Sequence, residues 1–225
     1  MNRRASVPIG TTQSLTDLAY AHLEELIVTL KLAPGRAVSE AELSELTGIG
    51  RTPIREALQR LAREKLVSIL PRRGIVVSAI DVKDQLRLLE VRRELERLIA
   101  RTAARRATGA ERERFRQVAR DFEKAARQDD DVAFMRTDRE FNTLCSAAAH
   151  NDFAGGAMSL MHSLSRRFWY IHYKQAADMP LTAKLHADIA RAVAAGDEAL
   201  AANASDRLLD AIEKFTRDTV STDVT

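Results

Sequence analysis

The sequence predicts a mainly α-helical chain: an N-terminal winged helix-turn-helix followed by an all-α bundle of about six helices. Three observations predict it. Apolar residues recur at helical spacing over most of the 225 residues. Two short β-like runs occur together, Ser68–Leu70 and Ile75–Ser78, joined by Pro71-Arg72-Arg73-Gly74 as a hairpin tip. Only five prolines and nine glycines interrupt the chain, few for an all-β protein.

In order along the chain, residues 1–12 carry no apolar pattern and read as a tail. Leu15, Leu18, Ala19, Leu23, Leu26, Ile27 and Leu30 then mark a first helix, stopped by Ala33-Pro34-Gly35. Ser39 followed by Glu42 is a capping-box start for a second, which carries Leu43 and Leu46 and stops at Gly48. A third begins at Thr52 as N-cap, with Pro53 in the first helical position, where a missing N–H costs little. Its apolar stripe is Ile54, Ala57, Leu58, Leu61 and Ala62; Arg55 and Gln59 project from the other side, and Arg51 sits just before the cap. These elements define a DNA-binding domain over 13–78. A linker follows at 79–83, around the boundary Asp81-Val82-Lys83-Asp84. The rest is helical, with segments near 83–107, 110–127, 131–149, 154–175, 181–195 and 197–220, and this domain spans 84–220.

Charge agrees with that division. The net charge is +3, and between Arg51 and Arg73 seven bases stand against two acids, a patch that attracts a polyanion. Arg60 and Arg63 read as surface charges rather than base readers. No apolar run is long enough to span a membrane, and MNRRASVPIG lacks a secretory signal's apolar core, so the protein is expected in the cytoplasm. The single cysteine, Cys145, excludes an internal disulfide and reads as core.

In the helical domain, Phe134, Phe141, Leu144, Cys145 and Ala148 form one apolar face that also carries Asp138 and Asn142, four residues apart. A carboxylate on such a face needs a partner. His186, beside Leu185, Ile189 and Val193, points inward from a later helix. The stripe Leu160, Leu164, Phe168 and Ile171 brings Arg167 to the core edge. Trp169, Tyr170 and Tyr173 could line a cavity or fill an interface. Arginines of this kind hold a carboxylate through two hydrogen bonds, which suggests an anionic effector, although Arg166 and Arg167 could equally pair with surface acids. His22, His150, His162 and His172 read as surface or partner-facing residues.

The stretch "ELSELTGIGRTPIREALQRLAREKLVSILPRRGIVV" resembles the DNA-binding domain of GntR-type bacterial transcription regulators. "LLEVRRELERLIARTAA", "DREFNTLCSAAAHND" and "LHADIARAVAAGD" resemble, in order and spacing, the all-helical FCD effector domain of the FadR-like branch. The resemblance implies a homodimer on a palindromic double-stranded operator, controlled by a small-molecule effector, most commonly as a repressor. It implies that Arg51 and Arg55 contact bases or adjacent phosphates, that Thr52 contacts phosphate, and that Arg72, Arg73 and Gly74 enter the minor groove. Arginine chemistry supports this independently, since its fork matches guanine O6 and N7. The acyl-CoA-responsive branch has an arginine where Ala41 stands here, which implies a different operator.

For the effector pocket the resemblance adds Arg92, an inward arginine on the first helix of the domain, to Asp138, Asn142, Arg167, Tyr170 and His186. It also implies a divalent metal held by an aspartate and three histidines. Asp138 and His186 match two of those positions. Asn142 and Leu208 replace the other two, and neither is a good ligand. A metal-free pocket is therefore expected, with Asp138, Asn142 and His186 as weak metal candidates. Two other functions compete: a helical-bundle metalloenzyme using Asp138 and His186, and an effector-independent DNA-binding protein. No HExxH, nucleophile elbow or glycine-rich phosphate loop supports an enzyme.

Overall fold

A computed structural model describes residues 14–70, 74–176 and 178–222. The chain divides into two compact units. One comprises the residues up to Ile27 together with Lys31–Ser78; the other comprises Val28–Leu30 and the residues from Ala79 onward. The predicted tail, 1–12, lies outside the described residues, as do Arg72 and Arg73.

The first unit runs α1 (Leu15–Val28), β1 (Ala37–Val38), α2 (Glu40–Thr47), α3 (Arg51–Arg63), β2 (Val67–Leu70) and β3 (Gly74–Val77). The strands form an antiparallel sheet in the order β1-β3-β2, with Ala37 opposite Val76 and Leu70 opposite Gly74. Strand β1, only two residues long, is too short to leave an alternating pattern in the sequence. Ser39 caps α2 by accepting from the Glu42 N–H at 3.1 Å, and Gly48 ends it in the left-handed conformation, φ 71°. Leu23, Ile27, Leu43, Ile54, Leu61 and Leu66 fill the core, whereas Leu46 is exposed.

The start of α3 differs from the sequence reading. The N-cap is Gly50, without a side-chain bond; Arg51 and Thr52 already lie inside the helix, and Pro53 is its third residue. Proline is tolerated there for the reason expected at the first position: N–H groups of a first turn have no helical acceptor. Gly74, placed at the wing by sequence, has a structural reason to be glycine. Its φ is 80°, and a Cβ would stand 3.2 Å from the Val38 carbonyl oxygen.

The second unit has six helices among the described residues: α4 (Val82–Arg106), α5 (Gly109–Gln128), α6 (Asp131–Ala148), α7 (Asp152–Ala176), α8 (Met179–Ala195) and α9 (Glu198–Thr222). Their starts are written in capping side chains: Asp81 for α4, a full Thr108/Glu111 capping box for α5, Asp130 for α6 and Asp178 for α8. Pro180 lies inside the first turn of α8 rather than in a break before it. Helix α5 packs on α8, and α4 on α9. Alanines such as Ala103, Ala119, Ala190 and Ala204 let these helices approach closely, and Phe115, Phe122, Phe134 and Phe141 fill the remaining volume.

Arg112 locks two helix ends together. Its guanidinium donates to the carbonyls of Ala104 (2.7 Å), Ala107 (3.1 Å), Val193 (3.0 Å) and Ala194 (3.4 Å). These belong to the ends of α4 and α8, where carbonyls lack a donor within the helix.

Candidate functional site

Two places gather chemistry, one in each unit. In the first, α2 and α3 are joined by a short turn in which Ser44 Oγ donates to the Ile49 carbonyl at 2.6 Å. The apolar stripe of α3, Ile54, Ala57, Leu58 and Leu61, is buried, so Arg51, Thr52, Arg55 and Gln59 face solvent. Arg55 does not hang free. Its Nε donates to Glu40 Oε1 at 2.8 Å and its Nη2 to Glu40 Oε2 at 2.7 Å. The Arg55 hydrogen bond is the largest influence on Glu40 and outweighs burial, holding its carboxyl below the usual range. Arg60, by contrast, lies 3.6 Å above the Tyr20 ring and pairs with Glu64 at 3.3 Å, a structural engagement.

The second place is a cavity of about 50 Å³ among α4, α6, α7, α8 and α9. By the measure on which one water needs at least ~10–15 Å³, it holds a few waters or one small group. His186 on α8 organises it. The ring lies 4.9 Å from Phe122, 5.9 Å from Phe134 and 5.4 Å from Phe141, centroid to centroid. Its Nδ1 is 2.8 Å from the Thr182 carbonyl, which can only accept, so Nδ1 carries a proton. Nε2 is 3.3 Å from Asp138 Oδ1, and it donates there only as the imidazolium. Asn142 donates its amide to the same Oδ1 at 3.2 Å. Burial pushes the Asp138 carboxyl up, but the His186 bond and the charges of His186, Arg166 and His162 outweigh it, and the net direction is down.

The structure therefore brings Arg92, Asp138, Asn142 and His186 to one cavity, as the sequence suggested. Arg92 arrives already paired, with Nε 2.7 Å and Nη2 2.5 Å from Glu96. Arg167 and Tyr170 do not line it. Arg167 is buried, donates to the Ala79 carbonyl at 3.1 Å, and is pulled down to about 10 by burial. Its neighbour Arg166 lines the cavity instead.

The apolar stripe read on α7 faces inward only in part. Phe168 is buried and lines the cavity, Leu160 and Ile171 are exposed, and Met158, His162, Ser165 and Trp169 share the inward side. His162, read as a surface residue, thus lines the cavity, and desolvation lowers its pKa. The helical spacing of Met158, His162, Ser165 and Trp169 was the available signal. Cys145 is buried, and burial with Glu96 and Asp138 nearby pushes its thiol well up, so it stays unreactive.

A metal does not fit this donor set. Asn142 offers N–H groups to Asp138, Leu208 is buried and lines a different cavity, and only Asp138 and His186 supply strong donors at the family positions. Among the described residues no three His, Cys, Asp or Glu side chains are placed to hold an ion.

A winged helix-turn-helix joined to a six-helix unit with its own cavity is the architecture of a two-domain transcription regulator. Comparison with known proteins makes the family specific. Residues 15–77 match the bacterial regulatory proteins of the gntR family, and residues 87–211 match the FCD domain. The chain belongs to the GntR family of transcription regulators and carries an FCD domain; its relatives are regulators, not enzymes.

An uncharacterised regulator from an unstable DNA locus of Streptomyces ambofaciens is 48% identical over 62 residues, 28% of this chain and 26% of that protein. The transcriptional repressor RspR of Escherichia coli is 26% identical over 181 residues, 80% of this chain and 79% of that one. Among solved structures, E. coli McbR/YncC superposes with a TM-score of 0.80 at 17% identity, covering 93% of this chain and all of that one. That likeness concerns the fold. No helix among the described residues is long and apolar enough to cross a membrane.

Proposed function

We propose that the protein is a cytoplasmic, ligand-responsive repressor that binds a palindromic operator as a homodimer. In this reading residues 13–78 form the DNA-binding domain, 79–83 the linker and 84–220 the effector and dimerisation domain. Arg51 and Arg55 read or flank bases, Thr52 and the open N-terminus of α3 meet phosphate, and the Arg72-Arg73-Gly74 tip enters the minor groove. The similarity to RspR supports the repressor assignment. The exposed apolar residues Phe153, Leu160 and Ile171 on α7 support a second copy as the partner of that face.

The observation that carries the control function is the cavity. A small carboxylate of a few heavy atoms matches its volume and its polar wall, with Arg166 and Arg92 as anion partners and the Asp138–His186–Asn142 network as the opposite side. Arg166 and Arg167 are consecutive, and Arg167 holds the carbonyl of Ala79 at the start of the linker. A ligand that engages Arg166 strains α7 and, through Arg167, the linker. DNA affinity then changes by no more than the ligand's differential affinity for the two arrangements.

The test is fluorescence anisotropy with duplex DNA from upstream of the protein's own gene, with and without a panel of small carboxylic acids. We expect binding by the wild type, a loss of about tenfold or more in Arg55→Ala, and a shift with at least one acid. Binding that ignores Arg55→Ala removes the proposed reader. Binding that no acid changes favours the effector-independent alternative.

A further inference from the structure

We propose that Glu40 is a positioning residue for DNA reading: its carboxylate fixes which edge of the Arg55 guanidinium faces the bases. The inference rests on the DNA-binding reading above. A guanidinium has five N–H groups arranged around a plane. Glu40 takes the Nε side, one bond to each carboxylate oxygen. The terminal edge, Nη1 with the second hydrogen of Nη2, is left open, and two parallel N–H groups are what guanine O6 and N7 accept.

Chemistry explains why the clamp comes from an acid. The Arg55 side chain is 65% exposed. Unheld, so long a side chain samples many rotamers and reaches phosphates as readily as bases, which adds affinity without sequence information. A carboxylate on a face that approaches phosphates opposes that outcome and weakens non-specific association. Glu40 opens α2 and could serve only as a favourable charge in its first turn. That role does not require it to reach a residue fifteen positions away on α3 with both oxygens.

The experiment is selection of bound duplexes from a random-sequence DNA library by the full chain, followed by sequencing, for the wild type, Glu40→Gln, Glu40→Asp and Arg55→Ala. Circular dichroism establishes that each is folded. We expect the wild type to enrich a two-fold motif with a fixed guanine in each half-site, and Arg55→Ala to lose that guanine. In Glu40→Gln, discrimination at that one position should fall about tenfold, with the other positions kept and binding to unrelated duplexes strengthened. Glu40→Asp, which keeps the charge and shortens the reach, should show the same local loss and guards against a folding defect in the glutamine variant. A Glu40→Gln motif identical to the wild type's, or a uniform weakening at every position, overturns the proposal while leaving DNA binding intact. Failure of the wild type to enrich any motif overturns both.

Discussion

Arg55 and Arg92 each pair with a glutamate, yet the pairs belong to opposite environments. The Arg55 side chain is 65% exposed and its partner 30%; Arg92 is 9% exposed and its partner 14%. The first pair sits in water, so losing either partner costs the fold little. The second is enclosed, so breaking it strands a charge where water cannot reach. The same contrast separates the two units. The first presents its functional charges on a helix whose other side is buried, and the second folds its charges inward around His186. Substitutions in the first should therefore alter binding and spare stability, and substitutions in the second should do the reverse.

The largest effect should come from the enclosed network. Asp138→Ala removes the acceptor shared by His186 and Asn142 and leaves the positive side of the cavity uncompensated. It should cost about 3 kcal/mol of stability, read by urea unfolding, with DNA affinity in the absence of ligand unchanged. Unfolding no easier than the wild type's would show that the cavity is hydrated enough to behave like the surface, and the contrast between the units would disappear.

Arg112→Met asks whether a half-buried arginine that pairs with carbonyls rather than carboxylates follows the same rule. Four helix-terminal carbonyls lose the Arg112 donor, of which Val193 keeps the Gly196 N–H, while methionine keeps much of the packing. A loss of about 2 kcal/mol is expected, read by the same urea unfolding, since water can reach some of the orphaned oxygens. Gly196 beside it sharpens the result. Its φ is 79° and a Cβ there would meet Arg112 Nη1 at 2.6 Å, so Gly196→Ala should be damaging in the wild type and less so when combined with Arg112→Met.

These two regions were also unequally legible in the sequence. Helix α2 was readable at both ends because caps are local chemistry, with Ser39 before it and Gly48 after it; the Thr108/Glu111 capping box of α5 carries an equally local signal that the sequence reading passed over. The face of α3 was readable because one side is uniformly apolar. Helix α7 yielded only in part: Phe168 of its apolar stripe is buried, but the inward side also carries His162 and Ser165, while Leu160 and Ile171 point out. An apolar-inside rule misses part of the inward side wherever polar residues line a cavity and an outer face is apolar. His186 was placed correctly because Leu185, Ile189 and Val193 surround it. Its anchor, the Thr182 carbonyl, was hidden because backbone acceptors leave no mark in a sequence. The clamp between Glu40 and Arg55 was hidden for another reason: it is a contact across the turn, fixed by how α2 and α3 pack.

The smallest effect concerns an exception inside the first unit, the buried carboxylate of Glu64, which is 3% exposed. Burial raises its pKa, and Glu24 nearby adds to the rise. The Tyr20 hydroxyl, donating at 2.7 Å, and Arg60 oppose it without cancelling it. The folded chain therefore holds this proton to higher pH than the unfolded chain, whose glutamate titrates near 4.5. The resulting stabilisation is complete below that value and is lost as pH rises through the raised folded value, after which the contribution is constant. Glu64→Gln carries no titrating proton, and its amide oxygen can still accept from Tyr20. The difference in unfolding free energy between wild type and variant should therefore move in the variant's favour as pH rises above the unfolded glutamate's 4.5, read by urea unfolding at each pH. The shift should be smaller than the effect of either substitution in the second unit, because Tyr20 and Arg60 already offset part of the burial. A difference that stays flat across that range would mean that the Glu64 carboxylate is as well solvated as Glu40's.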